Sequence, residues 1–456
     1  MKGRVIVTNS VEHSGRISGI GRAAGAALKL ALVFLLAIVA IRSGQAQTFR
    51  ILHEFKGTPD GSEPTPTLIR DVSGNLYGVT IEGGTSCDCG TVFKVDPSGH
   101  ETVLYRFTGG PDGGFPAFSA TLVRDASGNL YGTTGEGGDL SCDPPYGCGV
   151  VFKVDSDLHE SVLYTFAGGA DGGGPQAGLV RDTAGNLYGT TLYGGDLNAM
   201  CFGGTPPGCG VVFKLDSSGT ETVLYTFKGM PDAGGPNSGL MRDAAGNLYG
   251  TTTLGGQYNW GTVFKLTQSG TTVLHSFNGG RDGADLYEAG LIRDAKGNLY
   301  GVASGGGKIG PGCETSRGCG LVFKVTKTGK ETVLYKFTGK ADGSRPYGTL
   351  VRDKAGNLYG TTSGGGAQGY GTVFKLTSTG KETVLHNFIG KDGSEPLSGL
   401  VLDAKGNLYG STWEGGFLEG GGVRDNALES KCHYEKSPAV PARRRYNRAV
   451  NALGAL

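Results

Sequence analysis

Charge of either sign is barely in excess in this 456-residue chain. Its 42 basic and 41 acidic residues leave a formal net charge of +1. That balance argues against a nucleic-acid binder, which neutralises phosphates with surplus Lys and Arg, and against an acidic solvating tail. Tryptophan (two) and methionine (four) are scarce, and helix start and stop signals are missing beyond residue 46. Also absent are His-Glu-x-x-His, Gly-x-Ser-x-Gly, a Walker loop and a dinucleotide fingerprint. The scattered Gly-x-Gly strings follow from 86 glycines, and no metal, cofactor or catalytic set is expected. Those glycines keep no three-residue period, which excludes collagen. Short alternating runs of Val, Leu, Phe and Tyr exclude a disordered linker.

Long apolar runs are lacking too. The only candidate, Leu28 to Ile41, has 14 residues, short for a membrane span and typical of the apolar part of an export signal. Lys2, Arg4, Arg16, Arg22 and Lys29 precede or open it, and Gly44-Gln45-Ala46 offers a small-x-small cleavage site. Residues 1–46 are therefore expected to be a signal peptide. The alternative is an uncleaved anchor helix, which would be the chain's one link to a membrane. No Cys follows the run, so a lipoprotein anchor is not supported.

What is abundant is repetition. Gly-Asn-Leu-Tyr-Gly occurs seven times, with Asn at 75, 129, 186, 247, 298, 357 and 407. One unit reads as four strands: residues 178–182, 186–191, 211–215 and 221–227. Asp-x-x-Gly turns join the first strand to the second and the third to the fourth, the Asp accepting turn N–H groups and the Gly taking the left-handed position. Two hairpins per unit make a four-stranded antiparallel sheet, and radial repetition of such sheets gives a seven-bladed β-propeller. A β-solenoid is the alternative, but its repeats are shorter and more uniform. Residues 47–423 form the repeat domain. Thr48-Phe-Arg-Ile-Leu-His-Glu-Phe55 matches a fourth strand, whereas the last unit supplies only first and second strands, so the ring is expected to close by an exchange between chain ends. Only six copies of Val-Phe-Lys are present, which leaves the last blade incomplete.

The motif Gly-Leu-Val-Arg-Asp-x-x-Gly-Asn-Leu-Tyr-Gly-Thr-Thr, then Gly-Gly, then Gly-Thr-Val-Phe-Lys-Leu, resembles the Gloeo/Verruco (GloVer) tandem repeat over about residues 48–423. The resemblance implies an exported bacterial, propeller-like protein of no established activity. A weaker likeness is to the Asp-x-x-Gly-Asn-Leu units of sensor-type propellers, which bears on fold alone.

Strand direction places the short, uniform turns on one face and the long, variable loops on the other, where ligands are expected. On that loop face Asp60, Asp112, Asp171, Asp232, Asp282, Asp342 and Asp392 recur. They read as a carboxylate ring for cations or sugar hydroxyls, or as turn caps. The second reading is preferred because Asp-Gly is a standard turn pair and calcium needs more oxygens per site. Arg70, Arg124, Arg181, Arg242, Arg293 and Arg352 end the inner strand in six units, with Leu402 in the seventh. They read as a positive ring at the channel, or as surface residues each paired with a carboxylate, the preferred reading. His53, His275 and His386 alternate with Tyr in the fourth strand, which suggests packing with a polar tip rather than a metal site.

Eight of nine cysteines fall in four long loops, as Cys87/Cys89, Cys142/Cys148, Cys201/Cys209 and Cys313/Cys319. In an exported chain the last three pairs are expected to be disulfides, while one intervening residue makes Cys87–Cys89 doubtful. Cys432 lies in a basic tail, residues 424–456. Gly421-Gly422-Val423 keeps the repeat's register, but Arg424 stands where Phe belongs and the pattern then vanishes, as a reading-frame change would produce. The tail is expected to be disordered, leaving two open strand edges beside Ile51 to Phe55. The functional expectation is a secreted, periplasmic or cell-surface propeller that binds a glycan or protein through its loop face, with no nucleic-acid partner. A propeller hydrolase or lyase and a structural envelope protein are the alternatives. For an enzyme, the residues breaking the repeat are Asp285, Tyr287 and Glu288.

Overall fold

A computed structural model describes residues 4–9 and 48–415, except 66, 118, 200, 202–206, 311–312 and 314–316. The described residues contain no helix; seven four-stranded antiparallel sheets form a seven-bladed propeller. Blade 3 shows the plan. Val180–Arg181 pairs with Leu187–Thr190, that with Val211–Leu215, and that with Glu221–Thr226. Blades 1, 2, 4, 5 and 6 repeat it, beginning at Ile69–Arg70, Val123–Arg124, Met241–Arg242, Ile292–Arg293 and Ser344–Arg352. The turn between the first two strands works as its sequence suggests. Asp182 Oδ1 accepts the N–H of Ala184 and of Asn186, Oδ2 accepts the Asn186 amide and the Tyr188 hydroxyl, and Gly185 sits at φ 93°.

First strands lie nearest the axis, where neighbouring blades touch: Gly178 N–H donates to the Ser119 carbonyl, and Ser119 Oγ reaches past blade 3 to the Asn237 carbonyl of blade 4. The core lies between blades. In blades 1 to 6 the third strand carries a fully buried Phe over the second glycine of Gly-Asn-Leu-Tyr-Gly; a Cβ added at Gly189 would lie 2.5 Å from Phe213 Cζ. The same ring meets the outer-strand Phe of the preceding blade edge-on, as in Phe166–Phe213 at 5.2 Å and Phe337–Phe374 at 5.1 Å. Among the described residues six such aromatic staples tie the blades together.

Blade 7 departs from expectation. Phe49–Glu54 is its outermost strand, as the exchange between chain ends requires, and Val401–Leu402 with Asn407–Thr412 supplies the inner half. The blade is nevertheless complete. Arg4–Asn9 lies between Phe49–Glu54 and Asn407–Thr412, antiparallel to both. The two edges expected to be open are thereby covered, by a segment read from sequence as the basic start of an export signal. Its Val5-Ile6-Val7 run is β-branched and fits a pleated, buried position. The rest of the expected signal segment, residues 1–3 and 10–46, and the tail at 424–456 fall outside the described residues.

Candidate functional site

The turn face carries the arginines, and their partner is not the expected carboxylate. The guanidinium carbon of Arg70 stands 5.4 Å from the ring centre of Tyr409, and Arg124 lies likewise over Tyr77, Arg181 over Tyr131, Arg242 over Tyr188, Arg293 over Tyr249 and Arg352 over Tyr300. Each Arg covers the second-strand Tyr of the preceding blade, and that Tyr hydroxyl donates to the turn Asp, as Tyr77 does to Asp71 at 3.1 Å. Burial raises the turn carboxylates, but hydrogen bonds from Asn, backbone and Tyr outweigh it and hold Asp71, Asp125, Asp182, Asp243, Asp294, Asp353 and Asp403 below their ordinary range. Where Leu402 breaks the series, Lys375 Nζ lies over Tyr359 at 5.6 Å. Each Arg–Tyr contact joins two blades and is worth about 0.5–1 kcal/mol when exposed, whereas Lys375 and Tyr359 face each other within blade 6.

On the loop face, the seven recurring aspartates cap their own loops. Asp232 Oδ2 accepts the Lys228 N–H and the Tyr225 hydroxyl, and Asp112, Asp171 and Asp342 repeat the pattern with Tyr105, Tyr164 and Tyr335. Asp60, Asp282 and Asp392 cap the N–H of Lys56, Asn278 and Ile389 and face His53, His275 and His386 at 3.6, 3.6 and 3.0 Å. This is the physical reason Tyr and His interchange: either presents a ring to the blade and a polar tip to the Asp. Beside each pair lies the first residue of the next blade's outer strand. Glu160 beside Asp112, Glu221 beside Asp171 and Glu382 beside Asp342 are each pushed up to about 7 by burial and then by the neighbouring carboxylate.

All four cysteine pairs are disulfides, including Cys87–Cys89, which the sequence left in doubt. Cys142 Sγ and Cys148 Sγ pack against Gly168 of the loop after the outer strand, and Cys201 with Cys209 packs against Gly229. Blades 4 and 6, without cysteines, put Trp260 against Gly279 and Tyr370 against Gly390. One function, bracing the two loops of a blade, is thus filled by sulfur or by an aromatic ring.

Repeat symmetry breaks at the centre of the loop face. The link into each blade passes through a residue at positive φ: Glu63, Phe115, Gly174, Gly235, Asp285, Arg345 and Glu395, between 48° and 62°. Its backbone bridges two blades. Phe115 N–H donates to the Cys89 carbonyl and its own carbonyl accepts from Gly135; Arg345 N–H donates to Cys319, and Glu395 bridges Tyr370 and Trp413. Only glycine takes this conformation freely, and other residues cost of order 1–3 kcal/mol. Five links accept that cost, four of them with charged side chains. Three of these, in blades 5, 6 and 7, belong to one cluster. Asp285 Oδ2 lies 3.6 Å from the Arg317 guanidinium, and Tyr347 packs beside Glu288, Arg345 and the Ser304 hydroxyl. Glu395 sits near Arg345 and Glu414. Glu288, itself at φ 55°, is 8% exposed and its Oε2 has no hydrogen-bond partner; burial pushes it up to about 8. Burial, and then the Glu288 charge, pushes Tyr347 up to about 12 and raises Tyr287 as well.

The sequence had named Asp285, Tyr287 and Glu288, and the structure brings them together with Arg345, Tyr347 and Glu395, which it had missed. The signal was present. The residue before the loop Pro is Gly in two units, Gly174 and Gly235, which flags a left-handed position, and long polar side chains stand there in others. Six of the ten large apolar residues exposed among those described also lie on loop-face loops: Leu140, Leu197, Met230, Tyr258, Trp260 and Ile309. One trio of metal-ligand type, Asp155, Asp157 and His159, lies on the opposite face, where Asp155 caps its own turn.

Among solved structures the chain is similar to virginiamycin B lyase from Staphylococcus aureus, at 12% identity and TM-score 0.47 over 77% of this chain and 95% of that one. It is also similar to a luciferin-regenerating enzyme (14%, TM-score 0.39, 80% and 96%) and to a calcium-binding regucalcin from Agrobacterium tumefaciens (15%, TM-score 0.35, 67% and 83%). Likeness at this level carries no argument about activity. No curated protein matches the sequence. The model of the Gloeobacter/Verrucomicrobia repeat matches residues 37–200 and 195–424, nearly the whole propeller, and the chain belongs to that family.

Proposed function

We propose that this propeller is a carbohydrate-binding protein working outside the cell or at its surface, with the loop-face centre of blades 5–7 as its binding site. The observation that carries this reading is the run of charged side chains at left-handed link positions, Asp285, Arg345 and Glu395, around the buried Glu288. Strain of this kind persists where a site requires it. The chemistry suits a polyhydroxylated ligand. Glu288 is a neutral acid at neutral pH and can donate as well as accept, Asp285 and Glu395 accept, Arg345 donates in a fixed fork, and the Tyr287 and Tyr347 hydroxyls do either. Exposed Tyr258 and Trp260 on the same face offer flat apolar surface of the kind that packs against sugar rings. Four disulfides fit an oxidising compartment.

The test is a panel of soluble polysaccharides and cell-wall polymers titrated against the full chain. Binding should weaken about tenfold or more in Arg345→Ala and Asp285→Asn, as for loss of a charged hydrogen bond, and stay unchanged in Arg124→Ala on the opposite face. No binding across the panel, or equal loss in all three variants, would sink the proposal. A hydrolase or lyase reading has one observation in its favour: Glu288, an acid held protonated near neutrality, and Asp285 both act on the same Tyr287 and Tyr347, and two carboxyls in different environments are the division of roles used in acid–base catalysis. Chain shortening of the bound polymer, lost in Glu288→Gln, would favour it.

A further inference from the structure

The third position of blade 7 holds a strand that does not match it. In register, Arg4, Val5, Ile6, Val7 and Thr8 stand where blade 6 has Thr372, Val373, Phe374, Lys375 and Leu376. Only Val5 agrees, and each mismatch leaves a physical trace. In blades 1, 4 and 6 the first residue is Thr and its hydroxyl pairs at 2.8 Å with the second-strand Thr. Opposite Thr412 stands Arg4 instead; Thr412 Oγ1 has no partner, and neither does Arg4 Nε, although Glu54 at 3.0 Å and the Lys391 carbonyl hold the rest of the guanidinium.

At the centre the loss is larger. In the other six blades a buried Phe covers the second-strand glycine and staples the preceding blade. Over Gly410 the nearest atoms belong to Leu400 and Ser398 rather than to Ile6, and Phe388 meets Ile6 in place of a third-strand ring. Lys375 reaches over Tyr359, but Val7 does not reach over Tyr409, and a cavity of about 250 Å³ opens there between Val7, Tyr409, Arg70 and Asn407. Thr8 sits buried where the repeat has Val or Leu, with Oγ1 unpartnered. The slot is cut for Thr-Val-Phe-Lys-Leu. The chain's own last unit breaks off that pattern, with Arg424 in the place of Phe.

We propose that this slot is a strand-acceptor site, for which Arg4–Asn9 is a displaceable plug and a Thr-Val-Phe-Lys-Leu segment offered by a second chain of the repeat family is the fitting occupant. Asn407–Thr412 presents an unbroken ladder of N–H and C=O groups, and Phe49–Glu54 one with a bulge at Leu52, the irregularity that blade 6 shows at the same place. Affinity would come from these main-chain bonds and specificity from the Phe and Lys pockets, as in strand addition generally. Register is fixed because a one-residue slip would turn Phe out of the core.

The probe is a fluorescent peptide of residues 371–378 (Gly-Thr-Val-Phe-Lys-Leu-Thr-Ser), titrated into the full chain by anisotropy. Saturable one-to-one binding is expected, weakened about tenfold or more when the peptide carries Phe374→Ser, as for loss of a buried aromatic ring. It should strengthen in the Ile6→Asp chain, whose plug is ejected. In the wild-type chain, peptide should speed hydrogen exchange at Arg4–Asn9 while Leu408–Ser411 stay protected. No binding to either chain, equal binding of both peptides, or binding without release of Arg4–Asn9 would overturn the proposal.

Discussion

Single residues in this molecule are placed by what they can exchange for. Tyr and His alternate before a capping Asp, and a disulfide alternates with Trp260 or Tyr370 against the same glycine. Glu288 has no such equivalent, which marks it out. Its carboxyl ordinarily titrates near 4.5 and is pushed up to about 8 in the fold. The folded chain therefore holds a proton that the unfolded chain has released. This contribution to stability is whole below about 4.5, falls as pH rises, and is lost once pH passes about 8. Glu288→Gln keeps the neutral shape without the titration. Its stability relative to wild type should climb between pH 5 and pH 8 in denaturant unfolding, then level off. Parallel pH curves for the two proteins would show that Glu288 is not buried as described.

Among elements, the third strand matters most, because its Phe serves two blades at once. Phe213→Ala should cost about 3–5 kcal/mol, the range for an aromatic truncated in a packed core, with a matching fall in the urea midpoint. A loss below about 1 kcal/mol would mean that the staples do not hold the blades. The disulfides act differently. Cys142–Cys148 closes a loop of sequence separation 6, too short to restrict the unfolded chain much, so its effect is on loop shape. Eight of nine cysteines are paired, so denatured protein from an oxidising compartment should titrate one thiol per chain. Three or more free thiols would contradict the pairing.

The repeat unit was legible because its signals are local: Asp-x-x-Gly turns, alternating runs and their number give four strands and seven blades. The exchange at Phe49–Glu54 could be read because that strand keeps the repeat's own pattern. The strand at Arg4–Asn9 was hidden, since Arg-Val-Ile-Val-Thr-Asn carries none of the repeat's residues beyond Val5 and pairs with partners about 400 positions away. The partners of the arginines were hidden for a related reason. Arg124 meets Tyr77 of another blade, and such a contact depends on how far each sheet twists against the next.

For the whole molecule, carboxyl groups set a pH preference. Glu160, Glu221, Glu331 and Glu382 are pushed up to about 7 by burial and by an aspartate of the preceding blade, and Glu101 is raised by burial against the pull of His53. Their stabilising share is whole below about 4.5 and is lost as pH rises through about 7. The turn aspartates, held below 3.8, oppose this only at lower pH, where they must be protonated. His275, lowered by burial against the pull of Asp282, works the other way below 6.5, one group against five. The melting temperature should therefore peak near pH 4–5 and decline toward pH 8 in calorimetry. A flat or rising trend over that interval would contradict the inter-blade Glu–Asp contacts.

The two faces of the ring divide the work in this account. Turns, Arg–Tyr fasteners and capping aspartates hold the blades, and the loop-face centre is left for a ligand. Hydrogen exchange of the full chain with and without the tightest-binding polysaccharide of the panel tests that division most directly. Protection should concentrate in residues 284–290, 344–348 and 394–397, with none at the turns of residues 71–75, 125–129 and 182–186. Protection centred on those turns, or spread evenly around the ring, would contradict it.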